Sequence, residues 1–392
     1  MATVRIAGTG LTPFGEHPGR TGRDLFAEAG LTALDDADVD PDDVEHLFYG
    51  NFMGELAEHQ GHQGPLMAEA MGVQAPATRL EAACASSGVA VREGVKTIRD
   101  GEADVVVVGG AERMTDMGTT GATDGLSIAA DDLFEIKAGM TFPGAYALMA
   151  SAYMRDHDAD PDDLAHIAVK NHDNALENDK AHFQTAITVE DAVEAPRVAT
   201  PLGLYDACPI SDGASAVVLT SEEYAAEHDL DAPISVTGSG QGGDHLALQE
   251  RETLWKTPAA EEAAAEAYAE ADIDADDVDC AEVHDCFTIA EVLATESLGF
   301  FEPGEGLAAA KNGETTRDGS LPVNLSGGLK AKGHPVGATG AAQIAELTEL
   351  LAGHHARSDA IPDASVGVAH NAGGTVATVT VHVLEHDGGV DR

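Results

Sequence analysis

The sequence predicts an α/β fold built from two duplicated halves, with a long segment inserted between them. Three observations carry this. Strands buried on both faces read as continuous β-branched runs, and Val105-Val-Val-Val-Gly-Gly-Ala111 is such a run within an alternation of strand and helix patterns punctuated by glycine and proline. The segment Ala37-Asp-Val-Asp-Pro-Asp-Asp-Val44 recurs as Ala271-Asp-Ile-Asp-Ala-Asp-Asp-Val278 without a gap, and the run at Val105 has a counterpart in Val366-Gly-Val-Ala-His-Asn-Ala-Gly-Gly374. Residues 114–208 have no counterpart in the second half. The expected division is therefore 1–113 with 209–230 as the first half, 114–208 as the inserted segment and 231–392 as the second half, with two β layers sharing a central helical layer.

In chain order, Val4 to Gly10 reads as a short strand, followed by an amphipathic helix from about Arg23 to Asp36. After the first copy of the repeat comes Leu80-Glu-Ala-Ala-Cys-Ala-Ser-Ser-Gly88, then a helix from Ala85 to Ile98 with a glycine stop at Gly101. The inserted segment contains a helix-like stretch from Phe142 to Met154 that carries small and soft apolar residues. An acidic surface helix is expected near Asp162 to Asn178. In the second half, Gly238-Ser-Gly-Gln-Gly-Gly243 reads as a strand-end turn or a ligand contact, and Cys280 to Val283 as a strand. If Gly353 answers Gly101, the helix Ala341 to Leu351 answers Gly88 to Ile98, and the glycine-rich turn Asn324 to Gly340 then holds His334 in nearly the position that Cys84 has in the first half.

The 392 residues, 43% of them hydrophobic, are enough for two ordinary cores. No apolar run reaches the roughly 18 residues of a membrane span, and the N-terminus lacks a signal-peptide pattern, so a cytoplasmic protein is expected. With 69 acidic against 21 basic residues the formal charge is −48, dispersed along the chain. Self-repulsion on that scale is screened when about 1 M salt shortens the Debye length to about 3 Å, which points to a salt-rich cytoplasm. Such a surface is a poor partner for nucleic acid.

Three pieces carry possible chemistry. Cys84 stands at a helix N-terminus, where unpaired backbone N–H groups and the helix dipole favour thiolate; a small buried cysteine in a tight turn is the plainer reading. His284 and Cys286 are two apart and so can share a side, with Asp285 pointing away; core packing or half of a metal site are the alternatives. The four cysteines include no C-x-x-C pair and no paired zinc spacing, so no metal is expected. His334 lies among Gly327, Gly328, Gly333, Gly337 and Gly340, which lets backbone approach a ligand; neither a phosphate loop nor a dinucleotide fingerprint is present.

Together, Ala83-Cys-Ala-Ser-Ser-Gly88, His284-Asp-Cys-Phe287, Gly333-His-Pro335 and Asn371-Ala-Gly-Gly374 resemble the thiolase superfamily over nearly the whole chain. The box His284-Asp-Cys-Phe287 is similar to that of archaeal acetyl-CoA acetyltransferases and sterol-carrier-protein-2-type thiolases. The resemblance implies a five-layered α-β-α-β-α fold with an inserted loop domain, and Claisen condensation of two acetyl-CoA to acetoacetyl-CoA plus CoA, serving mevalonate and isoprenoid lipid synthesis. It implies Cys84 as the acyl carrier, His334 as its base and Cys286 as the base at the second substrate, because Asn371-Ala-Gly373 replaces the C-terminal Cys-x-Gly of better-known members. His284 and His334 would serve one oxyanion, and the backbone N–H groups of Cys84 and Gly373 the other. Ser239 and Gly333 are the candidate coenzyme A contacts. Coenzyme A thioesters are then substrates with no permanently bound cofactor. The implied partners are a second copy or a homotetramer, a zinc-ribbon/OB-fold accessory protein and hydroxymethylglutaryl-CoA synthase. A degradative or broader-range 3-ketoacyl-CoA thiolase uses the same residues, and a non-catalytic acyl-CoA-binding scaffold is the reading from another class.

Overall fold

The structure is a computed structural model that describes residues 3–388. Its strands are β1 (Val4–Leu11), β2 (His46–Gly50), β3 (Ala77–Leu80), β4 (Val105–Glu112), β5 (Arg197–Ala199), β6 (Leu202–Gly203), β7 (Gly213–Ser221), β8 (Ile234–Gly243), β9 (Cys280–Val283), β10 (Val366–Gly373) and β11 (Thr378–His386). Apart from the β5–β6 hairpin they form one mixed sheet in the order β3-β2-β4-β7-β1-β8-β11-β10-β9. The order is palindromic about the β1/β8 junction. On one side β2 runs parallel to β4, and β4, β7 and β1 follow antiparallel. On the other, β9 runs parallel to β10, and β10, β11 and β8 follow antiparallel. The strand β3 beside β2 has as its counterpart a single parallel bridge from Ala281 to Val323.

Where the sequence suggests two separate β layers, the structure joins them by a short ladder, Val4–Ile6 against Ile234–Val236. The register shifts after Ile6 in β1 and after Val236 in β8, and bulges of this kind bend a strand and increase its twist. The sheet therefore turns at its centre and encloses the two helices Ser86–Arg99 and Thr339–Leu351, which touch each other and both halves of the sheet. The helix Gly22–Asp36 covers β1 and β7 from outside, and Pro258–Ala271 covers β8 and β11. The layers are thus α-β-α-β-α.

The glycines at 238, 240 and 242 belong to this packing. They lie inside β8 rather than in a turn, and a Cβ on Gly240 would stand 1.9 Å from the carbonyl oxygen of Ala263. The alanine-rich helix Pro258–Ala271 lies directly on the strand backbone, which leaves no room for side chains between them. Between β4 and β7 the chain forms the helices Phe142–His157 and Ala165–Ala175 together with the β5–β6 hairpin. The second of these helices departs from the expected acidic surface helix. Ile167, Ala168, Lys170, Asn171 and Asn174 are buried, and only a stripe including Asp173 faces solvent. Lys170 pairs with Glu291 at 3.0 Å, and the Asn174 amide donates to Asn324 O at 2.9 Å, so the helix braces the His334 turn. Among the described residues no helix is long and apolar enough to cross a membrane.

Candidate active site

Cys84 is presented by a tight turn ahead of the helix Ser86–Arg99. Ala83 takes a left-handed φ of 51°, and the Ala85 N–H closes onto Ala82 O at 3.0 Å. Ser86 stabilises the turn from both sides, accepting the Ala82 N–H at 3.0 Å and donating to Ala83 O at 2.6 Å. A non-glycine residue in that conformation costs about 1 kcal/mol, which these bonds offset. The turn meets its counterpart because the two central helices cross on glycine. A Cβ on Gly340 would lie 2.3 Å from the backbone nitrogen of Gly88, so only glycine lets the two helical starts touch.

That crossing brings one side-chain atom each of Cys84, His284 and His334 within 4.8 Å of one another. The imidazoles of His284 and His334 meet edge to face, with ring centroids 5.0 Å apart. His284 and Cys286 lie just past the end of β9, and Cys286 faces the same cavity as Cys84 and His334. Asp285 points the other way, accepting from the Leu329 N–H at 2.6 Å and the Asn171 amide at 2.7 Å. A strap from the inserted segment closes the box: the Cys208 N–H donates to Cys286 O at 3.0 Å.

Hydrogen bonds assign the two histidines opposite protonation patterns. The Thr339 hydroxyl donates to Pro335 O at 3.0 Å and so receives His334 Nδ1–H, 2.7 Å away. His334 Nε2 is then an unprotonated lone pair, buried without a partner. Asn371 does the reverse for His284. A carbonyl oxygen only accepts, so the amide turns its NH2 toward Cys84 O at 3.1 Å, and the same NH2 lies 3.1 Å from His284 Nδ1. His284 Nδ1 therefore accepts, and its proton sits on Nε2. One histidine is poised to take a proton, the other to donate a hydrogen bond.

The thiolate expected from a helix N-terminus is not the resting form. Burial pushes the Cys84 thiol up to about 12, Glu112 adds to the rise, and the N–H groups of Gly374 and Cys84 only partly offset it. Burial likewise holds His334 down at about 3, and His284 well below its ordinary range with help from His334 and His370. The site at neutral pH is a thiol beside neutral imidazoles.

Three further candidates lie off the cavity. Gly374 lines it and is among the groups that lower the Cys84 thiol, whereas Gly373 sits within β10 against Ala82 O. Ser239 is buried in β8 outside the cavity, its carbonyl holding Arg92. Gly333 also stays off the cavity: at φ 113° it packs on Ser211, whose hydroxyl accepts the His334 N–H at 3.3 Å. The glycines of this turn serve backbone packing and the placement of His334.

Glu112 ties the two halves together around the site. Its buried carboxylate accepts from Phe52 N at 2.9 Å, Met53 N at 3.1 Å and Gly337 N at 3.2 Å, and desolvation lifts it to about 7. The cavity above the cluster measures about 590 Å³. Phe52, Met114, Leu126, Phe142, Tyr146, Phe183 and Leu204 form most of its apolar wall, much of it from the inserted segment, with Cys84, Cys286 and His334 at its reactive end.

Comparison with known proteins shows the family. Residues 4–223 match the thiolase N-terminal domain and residues 240–386 the thiolase C-terminal domain-like family. The chain belongs to the thiolase family. An acetyl-CoA acetyltransferase of Methanothermobacter thermautotrophicus is 41% identical over 98% of this chain and 100% of its own length. One of Methanocaldococcus jannaschii is 40% identical over 98% of this chain and 99% of its own. A solved structure of an Ltp2-ChsH2(DUF35) aldolase superposes with a TM-score of 0.83 at 26% identity, covering 98% of both chains. This thiolase is accordingly an acyltransferase with the fold of its relatives. Sequence reasoning missed Thr339, Tyr146 and Cys208 as neighbours of the site. Thr339 alone had a local signal, five residues after His334 on the first turn of a helix; the other two reach the site only through the insertion.

Proposed function

We propose that this thiolase is an acetyl-CoA C-acetyltransferase, condensing two acetyl-CoA into acetoacetyl-CoA with release of CoA. The observation that carries the reading is the free Nε2 of His334 beside the Cys84 thiol, with Cys286 at the same cavity. His334 takes the Cys84 proton as sulfur attacks the first thioester, and the departing CoA thiolate takes its proton from Cys286. Cys286, now a thiolate, removes a methyl proton from the second acetyl-CoA, and the resulting carbanion attacks the acetyl group on Cys84. Cys84 leaves and regains its proton from His334. The N–H groups of Cys84 and Gly374 suit the tetrahedral oxyanion, and His284 Nε2–H suits the enolate oxygen; each such donor is typically worth about 3 kcal/mol. His334 offers an N–H only after it has taken the Cys84 proton.

The test is product formation from acetyl-CoA alone in concentrated salt, read as free CoA and acetoacetyl-CoA, with thiolysis measured in reverse. A kcat/KM for medium-chain 3-oxoacyl-CoA well above that for acetoacetyl-CoA overturns the acetyl assignment. The size and apolar wall of the cavity favour that second reading, a broader-range 3-ketoacyl-CoA thiolase. Supply of mevalonate synthesis, a homodimer or homotetramer, and a DUF35-type zinc-ribbon/OB-fold partner are parts of the proposal. The DUF35 named in the aldolase assembly supports the partner.

Thr339→Val keeps the shape of the side chain and removes the acceptor for His334 Nδ1–H. Part of the imidazole then carries its proton on Nε2, facing Cys84. Acylation of Cys84 is expected to slow roughly tenfold, with KM little changed. An unchanged single-turnover burst of CoA would show that Thr339 does not set the tautomer.

A further inference from the structure

The inserted segment sends a phenol into the reactive end of the cavity. Tyr146 is buried on the helix Phe142–His157, its ring stacked on Phe287 at 4.7 Å between centroids and 28° between planes. Its hydroxyl donates to Gly374 O at 3.1 Å, and it shares the cavity with Cys286, whose sulfur it influences. Gly374 in turn directs its N–H at Cys84. The hydroxyl thus sits at the end of the cavity that also holds the two sulfurs the reaction uses.

We propose that Tyr146 is a catalytic residue whose hydroxyl swings from the Gly374 carbonyl to the Cys286 sulfur when that sulfur becomes a thiolate. The proposal rests on the reading of Cys286 as the base. The proton of the phenol is shared and never transferred. In the first half-reaction the Cys286 S–H bond breaks and the CoA S–H bond forms; in the second a methyl C–H bond breaks and the Cys286 S–H bond forms again. Between these events the thiolate must survive in a buried place. Burial raises its pKa, the nearby Cys208 and Cys84 and the more distant charge of Asp285 add to the rise, and the Tyr146 hydroxyl lowers it. Arg251 lies on the Tyr146 side of the site. A hydrogen bond to an ionised acceptor is stronger than one to a neutral carbonyl, so ionisation of Cys286 moves the phenol proton to sulfur. Rotation about the phenol C–O bond is enough, and the ring stays stacked on Phe287.

The test is Tyr146→Phe in the full-length protein, with two readouts across pH: single-turnover acetylation of Cys84 from labelled acetyl-CoA, and steady-state condensation. Acetylation is expected to slow by less than the condensation step, since the leaving CoA thiolate still has the Cys286 proton to take, and thermal unfolding reports that the variant is folded. Condensation at neutral pH should fall roughly 10- to 100-fold, because the Cys286 thiolate has lost its hydroxyl donor. Equal losses in both steps at every pH would mean that Tyr146 only holds Gly374, and no loss would mean that it is a wall residue; either overturns the proposal. Cys286→Ala run beside it separates the two readings: if that variant still condenses, the base assignment fails whatever Tyr146→Phe does.

Discussion

Cys84→Ala is expected to abolish both CoA release from acetyl-CoA and covalent labelling of the protein by acetyl-CoA, a loss of roughly 10⁴-fold or more in kcat. The size of the effect follows from the geometry. The free Nε2 of His334 has the Cys84 thiol as its neighbour, and the N–H groups of Gly374 and Cys84 converge on that sulfur. Without the sulfur, no nucleophile stands where the tautomer of His334 and those donors are arranged to act. The fold should be little affected, because the turn is held by Ser86 and by the Gly88/Gly340 crossing rather than by the thiol. Thermal unfolding checks the fold, and intact mass after incubation with acetyl-CoA reads the acyl group. A mass increase of one acetyl group on the variant sinks the assignment. Because the resting pair is thiol and imidazole, with Cys84 raised to about 12 and His334 lowered to about 3, acylation by the parent should also be nearly independent of pH between about 6 and 8.

The second large effect is expected at Cys286. Cys286→Ala should still acetylate Cys84, more slowly because the leaving CoA loses its proton donor, yet condensation should fall about 10³-fold. The asymmetry is the informative part. Cys286 lies beside Cys84 in the cavity, while Asp285, its neighbour in sequence, is tied to the loop that carries Lys330. Loss of a small thiol leaves that bracing intact. Rapid-quench measurement of both half-reactions decides the matter: equal losses in the two would make Cys286 a packing residue.

Much of the architecture is legible in the sequence because it rests on periodicity and repetition. The paired segments at Ala37 and Ala271 fold alike, each a short helical turn leading into a strand, β2 and β9, on opposite flanks of the palindromic sheet. Gly101 and Gly353 both end central helices in left-handed conformations, φ 70° and 79°, as their alignment suggests. The helix near Asp162 to Asn178 misleads for a physical reason. Its acids concentrate on one stripe and at its ends, and the buried face is polar, made of Lys170, Asn171 and Asn174 paired to groups of the second half. Hydropathy cannot distinguish a polar face that is paired from one that is solvated.

Ser239 and Gly373 mislead differently. A glycine-rich stretch invites a ligand, but at Gly238–Gly243 it answers the backbone of Pro258–Ala271, and the choice between Gly373 and Gly374 turns on where β10 ends. By itself the sequence determined the duplicated layers and the family, and it pointed to Cys84, Cys286 and His334, which the structure places at one cavity, since each depends on residue types and their order along the chain. Only the tertiary structure decided where the protons sit. Burial reverses the thiolate that a helix N-terminus favours in water, and Thr339 and Asn371 fix which ring nitrogen of His334 and of His284 carries the proton. Proton affinity is fixed by desolvation and by neighbours within a few ångströms, and at this site those neighbours come from both halves and from the insertion.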